Sequence, residues 1–233
     1  MKTFLLLIGS LSLFFGIRAQ TVTDIDGNIY NSITIGTQVW MRENLKVTHY
    51  MNGEEIPRVT DATEWSKLTT GAYCNLNNED LKVTTYGRLY NFYAVLDSNN
   101  LCPADWHVPT NNEWMILIGF LGGTDVAGGK MKETGTEHWS SPNTGASNSS
   151  GFTAVSAGSR NSKGGFEYFG SYGDWWTSTE SDTSNGSHWG ISNSSSNIYN
   201  VSFNKKYGFS VRCIRDFTTK IDTSTERFDR RNN

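Results

Sequence analysis

The chain has 233 residues, a formal charge of −3 and 36% hydrophobic content. No run of Lys or Arg appears, so the clustered basic face that nucleic-acid phosphate requires is not expected. Eight Trp and 23 Gly beside that modest hydrophobic content point to an aromatic-anchored, loop-rich fold.

Residues 1–19 read as a cleavable signal peptide. Lys2 supplies a short positive region, and Phe4 to Ile17 is apolar except at Gly9, Ser10, Ser12 and Gly16. Cleavage after Ala19 would leave Gln20 first. A membrane anchor is the alternative, but a spanning helix needs about 20 apolar residues. No Cys follows the run, which argues against a lipid-modified N-terminus. Loss of Lys2 and Arg18 takes the charge from −3 to −5. An exported product without a transmembrane anchor is expected, secreted or at the cell surface or in the periplasm. No Pro/Ser-rich linker divides the rest, so one domain over residues 20–216 is expected, followed by a polar tail over 217–233.

Val22 to Ile25, Asp26-Gly27-Asn28 and Ile29 to Ile35 make a β-hairpin pattern, because Asp-Gly tolerates the positive φ of such turns. Gly36-Thr37 turns into Gln38 to Met41. Residues 52–70 are polar and irregular, with Trp65 as anchor, and Ala72 to Leu76 reads as a short strand. Leu89, Phe92, Tyr93 and Leu96 fall at helical spacing, which predicts a helix over 89–96. The next helix begins with the capping box of Thr110 and Glu113. It carries Trp114, Leu117, Ile118 and Leu121 in one stripe and ends at Gly122-Gly123. A short helix over 126–132 is weakened by Gly128-Gly129. Short strands follow at 152–155, 166–169, 175–179, 187–191, 198–203 and 209–214. The order is α+β, with two main helices, short strands and long loops.

The cysteines are Cys74, Cys102 and Cys213. In the last strand Phe209, Val211 and Cys213 alternate with Ser210, Arg212 and Ile214, which turns Cys213 inward. A Cys102–Cys213 bridge is expected, with Cys74–Cys102 or three free thiols as alternatives. A bridge of that span stabilises by about 4–5 kcal/mol in the chain-entropy model.

Catalytic and metal patterns are sparse. Asp24-Ile25-Asp26-Gly27-Asn28 resembles the start of a calcium loop, but Ile29 stands where Gly is needed and Ile35 where a bidentate Glu is needed. A hairpin turn is the expectation there. His49, His107, His138 and His188 have no metal-ligand spacing to another His or Cys. His107 reads as a hydrogen-bonded structural residue and Glu113 as a helix cap. Glu167, Asp174, Glu180 and Asp182 read as acids of a solvated loop. No G-x-S-x-G, phosphate loop or H-E-x-x-H occurs.

Several stretches carry a family resemblance. They include Asp24 to Tyr30, Ile35 to Met41, Glu43-Asn44-Leu45, Gly71 to Cys74, and Cys102-Pro103 with Trp106 to Thr110. Gly128 to Gly135, Ser141 to Gly145, Gly151 to Ala154, Trp175-Trp176 and Gly208 to Arg215 continue the series. The chain resembles the Fibrobacter succinogenes major paralogous domain of exported Fibrobacter and Bacteroidetes proteins over about residues 24–216. More distantly, Val108-Pro109-Thr110 with Glu113-Trp114, and Gly208-Phe209 with Arg212-Cys213, are similar to segments of formylglycine-generating and sulfatase-modifying proteins. That resemblance implies a single C-type-lectin-like domain. The oxidase chemistry of those proteins needs a reactive Cys pair before the closing strand, and no Cys lies between Trp176 and Arg212. The calcium-dependent sugar motifs EPN, QPD and WND are also missing.

These readings favour a non-enzymatic ligand-binding module without metal or cofactor, engaging a glycan or a surface protein. The alternative is a structural or adhesive cell-surface component. Ser181 to Asn204 is rich in Ser and Asn around aromatic residues, a mix suited to recognition. Candidate ligand contacts in loops 181–204 and just before them are Trp175, Trp176, His188, Trp189, Asn193, Asn197 and Tyr199. The competing reading makes Trp175, Trp176 and Trp189 core anchors.

Overall fold

The computed structural model describes residues 20–217; the expected signal peptide and all but the first residue of the tail lie outside them. The chain starts with β1 (Thr21–Thr23), β2 (Ile29–Ile35) and β3 (Gln38–Met41). Helix α1 (Ala62–Ser66), β4 (Tyr73–Asn75), α2 (Val83–Tyr86), β5 (Arg88–Tyr90) and α3 (Phe92–Val95) are all short. Strand β6 (Trp106–His107) leads into the two main helices, α4 (Asn111–Phe120) and α5 (Thr124–Met131). Then come β7 (Ser159–Arg160), β8 (Phe166–Glu167), β9 (Tyr172–Glu180), β10 (Asn185–Ser192), β11 (Ile198–Asn204) and β12 (Ile214–Arg215). The fold is α+β. Among the described residues no helix is long and apolar enough to cross a membrane.

The N-terminal hairpin is set by Asp24. Its Oδ1 accepts the Asp26 and Asn28 amides at 3.0 and 2.9 Å, and its Oδ2 accepts Asn28 Nδ2 and the Tyr30 hydroxyl at 2.8 and 2.6 Å. Both oxygens are engaged by the turn, as the hairpin reading expects. Strands β2 and β3 then receive the end of the chain. Strand β12 lies between β3 and β6, with Ile214 opposite both Trp40 and His107. Cys213, one residue earlier, is bridged to Cys102. Cys74 is free and buried, and burial pushes its thiol up to about 12.

Helix α4 follows the sequence closely. Thr110 Oγ1 accepts the Glu113 amide at 3.3 Å and the Thr110 amide donates to Glu113 Oε2 at 2.7 Å. Trp114, Leu117, Ile118 and Leu121 are buried. Gly122 and Gly123 have φ of +103° and +96°, and the Gly123 amide reaches back to the Ile118 carbonyl at 2.9 Å. That positive φ is what lets the backbone reverse.

Three expectations need correction. Residues 89–96 are not one helix. Leu89 and Tyr90 pair with Cys74 and Tyr73 in β5–β4, and a single turn follows because the Asn91 side chain caps the Ala94 amide at 3.0 Å. Helical spacing over eight residues here spans a strand and a turn that bury Leu89, Tyr90, Phe92 and Val95, while Leu96 is 41% exposed. Residues 152–155 form no strand: Thr153 sits at φ +56°, its amide held by Asn148 Oδ1 at 2.9 Å. The closing segment 209–214 joins a ladder only at its end. Its inward face holds Phe209, Val211 and Cys213 as expected, yet Ser210, Arg212 and Ile214 are equally buried. It threads between two apolar clusters, so neither face meets solvent.

Three buried cations tie the irregular segments together. Lys132 Nζ donates to the carbonyls of Thr144, Ser192 and Ser195 at 2.8, 2.9 and 2.8 Å. Arg160 donates to Gly164, Val59 and Thr60 carbonyls at 3.0, 2.6 and 2.8 Å and covers the Trp65 ring at 4.4 Å. Arg212 donates from Nε and Nη2 to Asn44 Oδ1 at 3.2 and 2.8 Å and from Nη1 to the Phe152 carbonyl. Its guanidinium lies 4.1 Å from the Phe152 ring centroid. None of the three has a carboxylate partner among the described residues. Burial pushes Lys132 down to about 8 and Arg212 down to about 9. The acceptors oppose that push, because only the charged forms supply every donor they need.

Lys132→Met should destabilise the domain by about 2–3 kcal/mol, since three carbonyls, one buried and two part-buried, lose their donor. Urea unfolding measures it, and a loss below about 1 kcal/mol would show that the carbonyls find other partners.

A pH signature comes from His107, which bridges Glu113 Oε1 at 2.8 Å and Asp216 Oδ1 at 2.5 Å. The Glu113 hydrogen bond pushes His107 up against burial, and Asp216 adds to it. Burial pushes Glu113 up, but the bonds from His107 and Thr110 outweigh it and the net shift is down. The raised His107 contributes stability below its free-chain value of about 6.5 and loses it as pH rises through its folded value. The lowered Glu113 contributes above its free-chain value of about 4.3 and loses that as pH falls through its folded value. His107→Gln should therefore lose more unfolding free energy at pH 5.5 than at pH 9, and equal losses would sink this assignment.

Candidate functional site

The three-stranded sheet, in order β11-β10-β9, separates two environments. Side chains alternate across it. One cross-strand row is Trp175, Trp189 and Asn200, all on the face toward α4. The next row is Asp174, Gly190 and Tyr199, and the one beyond the Trp row is Trp176, His188 and Val201. These two rows share the opposite face. A one-residue difference in sequence therefore separates a tryptophan of the core from the floor of a cleft.

The cleft has a volume of about 280 Å³. Its floor is Phe209, His188, Asp174 and Ser159, all buried. Its walls are Tyr172, Tyr199, Phe203 and Tyr207, with Tyr168, Val201 and Glu167 at the rim. The His188 ring stacks on Phe209 at 4.6 Å and 22°. His188 Nδ1 lies 2.8 Å from the Val201 carbonyl, and its Nε2 lies 3.3 Å from Asp174 Oδ1. The Tyr199 hydroxyl donates to the same Asp174 oxygen at 3.2 Å.

Gly190 makes this row possible. A Cβ there would stand 2.4 Å from the Tyr199 ring and 2.5 Å from Asp174 Oδ1. Without a side chain at 190, the Tyr199 ring crosses β10 and reaches the carboxylate. Burial, then Asp174, pushes the Tyr199 phenol up; burial, then Glu167, does the same to Tyr207. Both stay neutral hydrogen-bonding groups at physiological pH.

Ser159, His188 and Asp174 share the cleft but do not form a nucleophile chain. One imidazole nitrogen faces a backbone carbonyl and the other faces Asp174, so neither is left for Ser159. Among the described residues no group of three or more His, Cys, Asp and Glu side chains is placed to hold a metal. A more open hollow of about 230 Å³ is lined by Arg42, Glu43, Glu133 and His138. Its charged groups are turned to the chain itself: Arg42 to the Gly151 carbonyl, Glu43 to Asn31, and His138 to Glu133.

Of the seven candidate contacts, the structure brings His188 and Tyr199 together in the cleft. Trp175 and Trp176 are fully buried, with their indole N–H groups donated to Asn44 Oδ1 and the Tyr90 carbonyl at 2.8 and 2.9 Å. Trp189 is buried too and donates to Asn111 Oδ1 at 3.1 Å. These three rings are core anchors and present no face to a ligand. Asn193 and Asn197 lie in the β10–β11 turn and do not line the cleft. Asn193 Nδ2 ties the turn to the Ser140 and Ser141 carbonyls at 3.2 and 3.1 Å, while the Asn197 carbonyl presses against Gly128. The strands expected at 187–191 and 198–203 are present as β10 and β11 over 185–192 and 198–204, so of the stretch 181–204 only its start and the turn between them are loop.

Asp174 is also corrected: it is a buried strand residue and not a solvated loop acid. Tyr168, Tyr172, Phe203, Tyr207 and Phe209 complete the site and were not singled out as contacts. The alternation of Tyr172, Asp174 and Trp176, and of Tyr199, Val201 and Phe203, was their signal, readable once both segments are known to pair through β10.

No curated protein and no solved structure significantly matches the chain. The family profile of the Fibrobacter succinogenes major domain matches residues 33–215, which include both main helices, the three-stranded sheet and the closing strand. The chain belongs to the Fibrobacter succinogenes major domain family.

Proposed function

We propose that this chain is an exported, non-enzymatic binding domain that holds part of a glycan or protein ligand in the aromatic cleft of the β9–β11 sheet. The observation that carries the reading is the cleft itself, a concave site of about 280 Å³ where aromatic walls meet a few convergent polar groups. Its size, at the small end for ligand sites, suits a single ring, head group or side chain and not an extended chain. Its floor is fixed before any ligand arrives, by the His188–Phe209 stack and the Tyr199–Asp174 bond. Export rests on the apolar N-terminal pattern of residues 1–19.

A C-type-lectin-like arrangement is part of the same reading. It is supported by the return of β12 between β3 and β6, and by the placement of both main helices and the β9–β11 sheet between those strands in sequence. The occupied imidazole nitrogens argue against hydrolysis at Ser159.

A second reading, an adhesive or structural surface component, draws on a different face. Met115, Ile116 and Phe120 on α4 are exposed at 60%, 50% and 65%. A helix apolar on both sides is suited to packing against something else.

The two separate cleanly. Val201 is an exposed rim residue, and Val201→Trp fills the mouth of the cleft without adding charge. On arrays of glycans and peptides, run with and without chelator, it should weaken binding at least about tenfold, by steric exclusion from a site that must seat the ligand. Chelator should change nothing. Binding that survives Val201→Trp but is lost on Phe120→Lys would replace the cleft with the α4 face.

A further inference from the structure

The geometry points to an organic cation, an N-methylated ammonium head group, as the occupant of the aromatic cleft. This rests on the reading of that cleft as the binding site and narrows the chemistry it selects.

The lining holds two carboxylates, Asp174 and Glu167, and no Lys or Arg. The neighbouring cations are committed elsewhere. Lys205 pairs with Glu180, Lys206 Nζ donates to the Ser66 carbonyl, and Arg160 is held by three backbone carbonyls. Glu167 forms no ion pair among the described residues; Asn161 Nδ2 donates to its Oε1 at 2.6 Å. His188 Nδ1 donates to the Val201 carbonyl at 2.8 Å and its Nε2 faces Asp174 Oδ1 at 3.3 Å, so Asp174 has a partner inside the cleft. The negative charge left for a ligand is therefore that of Glu167 at the rim, which no Lys or Arg of the lining balances.

The rings add to it. Tyr172 meets Tyr199 at 76°, His188 meets Phe203 at 81°, and Phe203 meets Tyr207 at 58°. Successive rings turn around the cavity instead of stacking into one wall. Ring faces carry negative quadrupole density, and a cation among several such faces is attracted by each.

The arrangement selects among cations. A primary ammonium is strongly hydrated, and burying it demands a free acceptor for each N–H. Asp174, the deepest acceptor, already takes the Tyr199 hydroxyl and faces His188 on its Oδ1. Its other oxygen and Glu167 Oε2 carry no hydrogen bond among the described residues, which gives two open carboxylate acceptors against the three N–H groups of a primary ammonium. An N-methylated head group has its charge spread over methyl groups, needs no such bonds, and sheds water into an aromatic site more readily.

Isothermal titration of the full chain with choline and with 3,3-dimethylbutanol, its uncharged isostere, is the direct test. Choline should bind at least about tenfold tighter. Two substitutions at one exposed rim position read the sign of the field: Val201→Glu should tighten choline about threefold and Val201→Lys weaken it about threefold, while any change in the isostere should be the same for both. Glu167→Gln, at a partly exposed site, should weaken choline about fivefold with little change in Tm. A trimethyl-lysine peptide and phosphocholine, titrated beside choline, distinguish a protein-borne from a phosphodiester-borne head group by which binds tighter. Equal affinity for choline and the isostere overturns the cationic ligand and leaves the cleft as a binding site. So does silence with choline at about 10 mM when an array ligand still binds and is blocked by Val201→Trp, since useful head-group sites saturate well below that concentration. If no array ligand responds to Val201→Trp, the cleft reading falls and the cation with it.

Discussion

The fold depends on buried cations that hydrogen-bond backbone carbonyls. Much of the chain between its strands runs through the interior as irregular backbone, and such backbone carries carbonyls that no ladder satisfies. Lys132, Arg160 and Arg212 meet that need with several donors each, at points where segments far apart in sequence converge. Lys132 joins residue 144 to the turn after β10. Arg160 joins its own loop to residues 59 and 60. Arg212 joins the closing segment to Asn44 and residue 152. Apolar side chains at these positions would pack but leave the carbonyls unbonded, at about 1–3 kcal/mol each. Neutral polar residues would offer too few donors. The charge is tolerable because aromatic rings cover it: Trp139, Trp65 and Phe152 lie 5.6, 4.4 and 4.1 Å from the three cationic groups.

Lys132 also explains how the sheet is held against the helices. The turn it grips ends β10 and begins β11, and the same turn lies on Gly128 and Gly129 of α5. A Cβ at Gly128 would stand 2.4 Å from the Asn197 carbonyl, and the Gly129 amide donates to the Ser196 carbonyl at 2.9 Å. The two glycines that weaken α5 as a helix are therefore the surface on which the hairpin sits. With the turn fixed on one side and the Trp175–Trp189 row packed toward α4, the opposite face of the sheet has its position set. That face is the cleft.

How much of this was legible in the sequence follows from the range of the interactions. The capping box of α4, its glycine stop, the Asp24 turn and the three long strands are local, and local patterns located them. The Cys102–Cys213 bridge was reachable because alternation along residues 209–213 turned Cys213 inward. The pattern failed where burial comes from both sides. Arg212 and Ser210 read as a solvent face, yet the closing segment runs between two clusters and has no solvent face. The same limit blurred the site. Trp175, Trp176 and Trp189 are aromatic and near the Ser/Asn-rich stretch, so composition grouped them with His188 and Tyr199. Only the register of β9 on β10 and β11 assigns Asp174, His188, Tyr199 and Val201 to one face and Trp175 and Trp189 to the other. Lys132 and Arg160 gave no signal at all, because a basic residue at a helix end or in a polar loop is ordinarily solvated.

The cleft joins rigid and adjustable parts in one place, which bears on how it discriminates. Its floor is bound into the core: Phe209 belongs to the closing segment beside the disulfide, His188 is stacked on it, and Trp176 packs beneath at 4.6 Å from Phe209. A side chain there cannot move without disturbing the join between the first and last parts of the chain. Tyr168 and Val201 are exposed at 60% and 44%; Tyr168 meets the ring of Tyr172, and Val201 holds His188 through its backbone carbonyl, which a change of side chain leaves in place. Affinity that depends on preorganisation therefore comes from the floor, where ordering is complete before binding. Selectivity among ligands of similar size falls to the rim, where substitutions change shape and charge at little cost to stability.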